Sequence, residues 1–177
     1  ILIGLVGSEM CIRDRPIGYQ QTISQPYIVA RMTESLIEGD KMNEVPINHC
    51  LEIGTGCGYQ TYILSLFSKK VTSVERIEPL QDKAKETLKN LGVRNVTFKI
   101  DDGNNLGRLK YDAILSAAAP LSVPSTLKER LAVGGRLILP VGDSQRQVLT
   151  LIHRIDNDSY EEKRLEDVLF VPLLKGI

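Results

Sequence analysis

The chain has 177 residues, enough for one domain with a sizeable core, and its 22 Lys+Arg are matched by 22 Asp+Glu for a formal net charge of zero. That balance leaves no broad positive field for a phosphate backbone or an anionic lipid surface, so neither nucleic acid nor a membrane is expected as a partner. Hydrophobic residues at 42% and charged residues at 25% exclude a disordered or collagen-like chain.

Cys11, Cys50 and Cys57 form no CxxC pair and are joined by only two histidines, His49 and His153, which argues against a disulfide framework and against a zinc site. The opening apolar run, Ile1 to Gly7, is far shorter than the roughly 20 residues a bilayer span needs. It also lacks a basic flank and a small-residue cleavage site, so a cytosolic compartment is expected.

From Pro16 onward, helical and strand patterns alternate. Residues 26–38 carry Ile28, Val29, Met32, Leu36 and Ile37 at helical spacing and stop before Gly39. Residues 47–53 are a short apolar run stopped by glycines, which predicts a buried strand. A short helix over 60–68 and a strand over 71–75 follow, then a helix marked by Leu80, Ala84, Leu88 and Leu91 and closed by Gly92. Strands are expected at 96–100 and 111–117, a helix at 124–131, and a strand at 135–141. The alternation then breaks, because 148–155 and 165–174 are both strand-like with polar Asp156-Asn157-Asp158-Ser159 between them. The pattern predicts an α/β domain: a doubly wound, mostly parallel seven-stranded sheet with an antiparallel C-terminal edge hairpin.

The most informative segment is Leu51-Glu52-Ile53-Gly54-Thr55-Gly56-Cys57-Gly58-Tyr59. A strand that runs into spaced glycines and then a helix lets backbone approach a ligand closely, and ligands of such sheets sit beyond the carboxyl ends of the strands. The dinucleotide fingerprint is G-x-G-x-x-G. Here the third glycine comes one position early, and Tyr59 stands where it would be. Glu75, at the end of the second strand, can accept from both hydroxyls of a ribose, as nicotinamide dinucleotide and S-adenosyl-L-methionine sites both require. Glu52 beside the loop suits a cationic cofactor better than a diphosphate. The plainer alternative is a glycine turn that packs helix on strand, with Glu75 a solvated strand end.

Asp101-Asp102-Gly103 follows the third strand, where a carboxylate would meet an adenine amine or merely shape an Asp-Gly turn. Ser24 is placed to cap the helix that Pro26 begins, although a hydroxyl at a helix start equally suits a substrate carboxylate.

Ile17-Gly18, Gln21-Thr22-Ile23-Ser24-Gln25-Pro26 and Met32-Thr33-Glu34, followed by the Leu51–Tyr59 loop, closely resemble the protein-L-isoaspartate O-methyltransferase family. Asp102-Gly103, Tyr111-Asp112-Ala113-Ile114, Ala117-Ala118, Gly134-Gly135-Arg136-Leu137, Pro140-Val141-Gly142 and Phe170-Val171-Pro172-Leu173 extend the resemblance over about residues 16 to 174.

The resemblance implies a Rossmann-like methyltransferase fold and a repair enzyme that methylates the α-carboxyl of isoaspartyl residues, with S-adenosyl-L-methionine as methyl donor. Ser24 would be the catalytic residue. Gly54, Gly56, Glu75, Asp102 and Gly103 would hold the cofactor, with Glu52 and Thr55 completing that set. Thr22, Ile23, Ser24, Ala118, Val171 and Pro172 would border the substrate, an isoaspartyl protein or peptide. No metal is expected, and a monomer is. The chemistry suits this residue set: a carboxylate of pKa about 3.5–4 is already ionised at neutral pH, so no general base is required. In-line displacement depends mainly on alignment, which Ser24 would supply.

Two departures from the family pattern stand in the site region. Gln20 occupies a position where glycine is common and Cys57 one where serine is common, both expected to fit on size and backbone grounds. Residues 1–15 match nothing in the family and are expected to be a foreign leader on an N-terminally truncated chain, ahead of a single domain over 16–177. A truncated, non-catalytic adenosylmethionine-binding domain and a NAD-dependent oxidoreductase remain as rival readings.

Overall fold

The computed structural model describes residues 15–37, 47–103, 107–174 and 176. In chain order these form β1 (Pro16–Gly18), β2 (Gln21–Thr22), α1 (Pro26–Ile37), β3 (Ile47–Ile53), α2 (Tyr59–Phe67), β4 (Ser68–Glu75), α3 (Glu78–Asn90) and β5 (Val96–Ile100). They continue with β6 (Tyr111–Ser116), α4 (Ser125–Arg130), β7 (Leu131–Gly142), β8 (Gln147–Arg154) and β9 (Tyr160–Val168). The expected leader and the Gly39 stop of α1 lie outside the described residues, apart from Arg15.

A seven-stranded sheet runs in the order β5-β4-β3-β6-β7-β8-β9. Its pairings are parallel from β5 through β7 and antiparallel for β7–β8 and β8–β9, the architecture the alternation predicts. Neighbouring residues along each central strand enter opposite cores. Cys50, Val71, Ala113 and Ile138 pack with Met32 and Leu36 of α1 and Leu64 of α2. Leu51, Val74, Ile114, Leu137 and Leu139 pack with Leu127 of α4 on the other side. Period-two alternation with apolar residues in both phases is what a strand covered on both faces requires, and it explains why these strands read as continuous apolar runs.

The two ends of the described chain depart from expectation. The last strand is β9, and it ends at Val168 rather than running over 165–174. Its sequence, Tyr-Glu-Glu-Lys-Arg-Leu-Glu-Asp-Val, is that of a solvated edge strand and carries no apolar signature. Beyond it Pro172 makes only an isolated bridge to Ala119. At the other end, β1 and β2 form an antiparallel hairpin that the sequence did not announce. Tyr19 (φ 54°) and Gln20 (φ 58°) are its two turn residues, both left-handed, as a type I′ turn demands. Such turns favour Asn-Gly, so Tyr-Gln gave no signal. Gln20 is accommodated in this turn at a backbone cost of about 1 kcal/mol, because a residue with a Cβ is strained in the left-handed region.

Beneath the glycine loop lies a buried polar chain. Glu52 is 0% exposed, and its Oε2 accepts hydrogen bonds from Ser73 Oγ of β4 and Thr61 Oγ1 of α2, each at 2.6 Å. Because Ser73 donates to Glu52, Thr55 Oγ1 must donate to Ser73, 2.6 Å away. Thr55 is thereby tied through β4 to β3 and α2. Burial pushes the Glu52 carboxyl up to about 8, against the opposing effect of the Ser73 and Thr61 bonds. Oε1 has no hydrogen-bond partner among the described residues. Glu52 is thus a buried post under the loop whose burial favours the neutral form, not the charge expected to face a cationic cofactor. An acid flanked by apolar residues on a two-faced strand is desolvated before it can present its charge.

Two measurements test these points. The folded pKa of Glu52 lies above its ordinary value, so the folded state holds a proton that the unfolded chain releases. Stability from this group is present in full below pH 4.5 and is lost as pH rises to about 8. Urea midpoints across that window should fall for the wild type and fall less for Glu52→Gln. Independently, Gln20→Gly should raise unfolding stability by about 0.5–1 kcal/mol, because glycine adopts the left-handed turn without strain.

Candidate active site

In the sheet order β3 is followed on one side by β4 and β5, while the chain returns on its other side to β6. Crossovers leave in opposite directions at this point, and a crevice opens at the carboxyl ends of the strands. Its floor is set by main-chain bonds: Gly54 N–H donates to Val74 O at 2.8 Å and Ala117 N–H to Ile53 O at 2.8 Å. The resulting cleft measures about 320 Å³, large enough for a cofactor-sized ligand.

Glu75 is the best-anchored group in it. The residue is 7% exposed. Its Oε2 accepts from Gly56 N–H at 2.9 Å, and its Oε1 from Arg76 and Ile77 N–H at 3.0 and 3.1 Å. Three main-chain donors thus fix both oxygens while one edge still meets the cleft. The glycines divide their work. Gly56 (φ 53°) lines the cleft, and a Cβ on it would lie 3.2 Å from Ile17 Cδ1 of the hairpin. Gly58 (φ 86°) is buried at the start of α2, where a Cβ would run into Leu88 Cδ1 of α3. The third glycine is early because it seats helix against helix.

Ser24 leaves the hairpin and lines the cleft. It does not cap α1. Val29 N–H donates to Gln25 O at 3.0 Å, so Gln25 holds the N-cap position and Ser24 sits one residue too early. Among the described residues Ser24 Oγ has no hydrogen-bond partner. Thr22 and Ile23 line the same wall.

Across from it, Ala118 is held by Ser116 Oγ, which donates to Ala118 O at 2.8 Å and accepts from Ala118 N–H at 3.3 Å. Next to it, Ala119 N–H donates to Val171 O and Leu173 N–H to Ala119 O, both at 2.8 Å, which stands the Val171-Pro172 strip against the cleft.

Gly54, Thr55 and Asp102 complete the residues expected at the cleft and found there. Glu52 and Gly103 do not line it. Gly103 is buried behind the rim, its N–H donating to Asp101 Oδ1 at 2.8 Å and its Cα facing Ile53. Asp102 Oδ2 accepts from Gly176 N–H at 2.8 Å.

The structure adds residues that local pattern could not supply. Glu166 of β9 lines the rim and is gripped by Arg31 of α1 at 3.3 Å, across 135 residues of sequence. Tyr19 and Gln20 reach the cleft only because the hairpin exists. His49 pairs with Thr72 Oγ1 at 2.9 Å and sets its ring edge-on to Tyr111, and burial lowers its pKa. Neither histidine reaches the cleft. Among the described residues no cluster of His, Cys, Asp and Glu could hold a metal ion, and no helix is long and apolar enough to cross a membrane.

Comparison with known proteins agrees with this arrangement. A protein-L-isoaspartate O-methyltransferase of Saccharophagus degradans is 52% identical over 168 residues, covering 92% of this chain and 72% of that protein. One from Alcanivorax borkumensis is 48% identical over 164 residues with the same coverage. A solved Plasmodium falciparum structure, assigned as a protein-L-isoaspartate O-methyltransferase and complexed with S-adenosyl-L-homocysteine, superposes with a TM-score of 0.75 at 26% identity. It covers 91% of this chain and 79% of that one. The sequence profile described as protein-L-isoaspartate(D-aspartate) O-methyltransferase matches residues 11–177, and the chain belongs to that family.

Proposed function

We propose that the chain transfers the methyl group of S-adenosyl-L-methionine to the α-carboxyl of L-isoaspartyl residues in damaged proteins and peptides. The observation that carries this reading is Ser24 Oγ, a hydroxyl without a partner among the described residues, in the same cleft as a carboxylate fixed by three main-chain donors. The named relatives support it, and the Plasmodium protein was solved with the demethylated form of the donor.

The residues present fit that donor. Among the described residues, the acids Glu75, Asp101, Asp102, Glu166 and Asp167 line the cleft beside one basic residue, Arg76, with Glu166 and Asp167 paired to Arg31 and Arg146. Such a wall favours a cationic ligand and repels the diphosphate of a dinucleotide. Glu75 would accept from the ribose hydroxyls, Gly54 and Gly56 would let the ligand lie against main chain, and Asp102 would stand at the adenine end. When bound, adenosylmethionine supplies a methyl group on a positively charged sulfur. Ser24 donates a hydrogen bond to the substrate carboxylate and aims one oxygen. Thr22, Ile23, Ala118, Val171 and Pro172 confine the peptide on either side. The substrate carboxyl, of pKa about 3.5–4, is already ionised at neutral pH, so no side chain has to remove a proton. Rate comes from alignment of nucleophile and leaving group.

The test is transfer of labelled methyl to a matched pair of peptides, one isoaspartyl and one aspartyl. Base-labile label on the isoaspartyl peptide alone is the expected result, and none on either refutes the proposal. Ser24→Ala should lower kcat about 10- to 100-fold through lost alignment while calorimetry shows cofactor affinity unchanged. Glu75→Ala should do the reverse in order of effect, weakening cofactor binding by about 10- to 100-fold, as expected for a lost charge-assisted bond.

A further inference from the structure

Gln147 opens β8 and is 2% exposed. Its main chain closes both ladders of that strand, opposite Gly142 of β7 and Val168 of β9. After Val168 the chain leaves the sheet, yet Gln147 goes on pairing through its side chain. Phe170 N–H donates to Gln147 Oε1 at 2.6 Å, and Gln147 Nε2 donates to Phe170 O at 3.0 Å. Nε2 also donates to Asp143 O at 3.0 Å. The carboxamide therefore takes the place of a missing peptide group, one donor and one acceptor facing the donor and acceptor of Phe170.

That grip holds the near end of the strip whose far part, Val171 to Leu173, bridges Ala119. Phe170, Val171, Pro172 and Leu173 all line the cleft, whereas Gln147 does not. Among the described residues, the strip's other main-chain pairing is the isolated bridge to Ala119, because β9 ends at Val168. The cofactor half, with Glu75, Gly54 and Gly56, is braced separately by β3, β4 and the Thr55-Ser73-Glu52 chain.

We propose that Gln147 is a positioning residue that fixes the Phe170–Leu173 wall and so sets affinity for the isoaspartyl peptide, without acting on cofactor binding or on the methyl-transfer step. This rests on the substrate reading given above. Only a side chain with adjacent donor and acceptor can do it. A carboxylate at 147 would oppose the carbonyls of Phe170 and Asp143, and a thioether would leave the Phe170 amide groups unpaired, so in either case the strip is free to shift.

Gln147→Glu and Gln147→Met test the proposal through steady-state kinetics on an isoaspartyl peptide and calorimetry with adenosylmethionine. The expected result is a KM for peptide raised about tenfold or more, kcat within about threefold and cofactor Kd within about twofold of wild type. A variant that is merely less folded loses kcat per mole of enzyme and keeps its KM. Unchanged KM in active variants, or equal losses in peptide and cofactor affinity, overturns the proposal while the substrate reading stands. A wild type that methylates neither peptide overturns both.

Should neither variant fold, amide exchange in the wild type decides. The Phe170 N–H should exchange as slowly as ladder amides and slow further with isoaspartyl peptide but not with adenosylmethionine. Fast exchange, or slowing by adenosylmethionine alone, overturns the assignment.

Discussion

The N–H of Gly56 donates to the carboxylate of Glu75, and through that bond the loop leaving β3 and the end of β4 become one surface. Without it the loop would be anchored only from below. With it, the main-chain groups at Gly54 and Gly56 and the acid at Glu75 keep a fixed spacing, and the hairpin has a rigid floor to pack against at Ile17. The two other donors to Glu75, from Arg76 and Ile77, come from the turn into α3, so the same carboxylate also sets where that helix begins. A single buried-edge acid thereby organises two connections, one leaving β3 and one leaving β4.

The two halves of the cleft are held by different means. The half proposed for the cofactor is supported by parallel strands with both faces covered and by hydroxyls stacked on the buried Glu52 carboxyl, an arrangement with little freedom to move. The half proposed for the peptide is made of a two-residue hairpin turn, a helix start and a strip that has left the sheet. Its fasteners are isolated: the Arg31–Glu166 pair between α1 and β9, the Gln147 carboxamide, and the Ala119 bridge. Local opening free energies follow the density of such contacts, so motion is expected to concentrate on the side proposed to admit the peptide.

Much of this was legible in the sequence where chemistry and burial coincide. The strands Ile47–Ile53 and Val96–Ile100 fall where the apolar runs and their stops put them, and the loop glycines and Glu75 mark the site because backbone conformation and strand ends leave a local trace. Glu52 was misread for a physical reason: an acid's identity says nothing about its desolvation, and burial converts a charge into a neutral hydrogen-bond acceptor. Of the two readings open for Ser24, the cap is excluded because the helix that starts at Pro26 puts Gln25 at the N-cap position. The hairpin carries the wrong residues for its own turn, and β9 is polar because both its position and its exposure allow it. Contacts such as Arg31–Glu166 and Gln147–Phe170 join residues far apart in sequence and leave no periodic mark.

The early third glycine has a consequence for attempts to exchange cofactors on this scaffold. Spacing of the loop glycines is commonly treated as a code for the ligand, to be edited by moving one residue. At Gly58 the constraint comes from the opposite direction, from Leu88 and Ala84 of α3 pressing on the start of α2. Shifting the glycine to the dinucleotide spacing would drive a side chain into the neighbouring helix without creating any new contact to a phosphate. Retargeting the loop would thus have to begin with the packing of Leu88 and Ala84, on a helix that does not line the cleft.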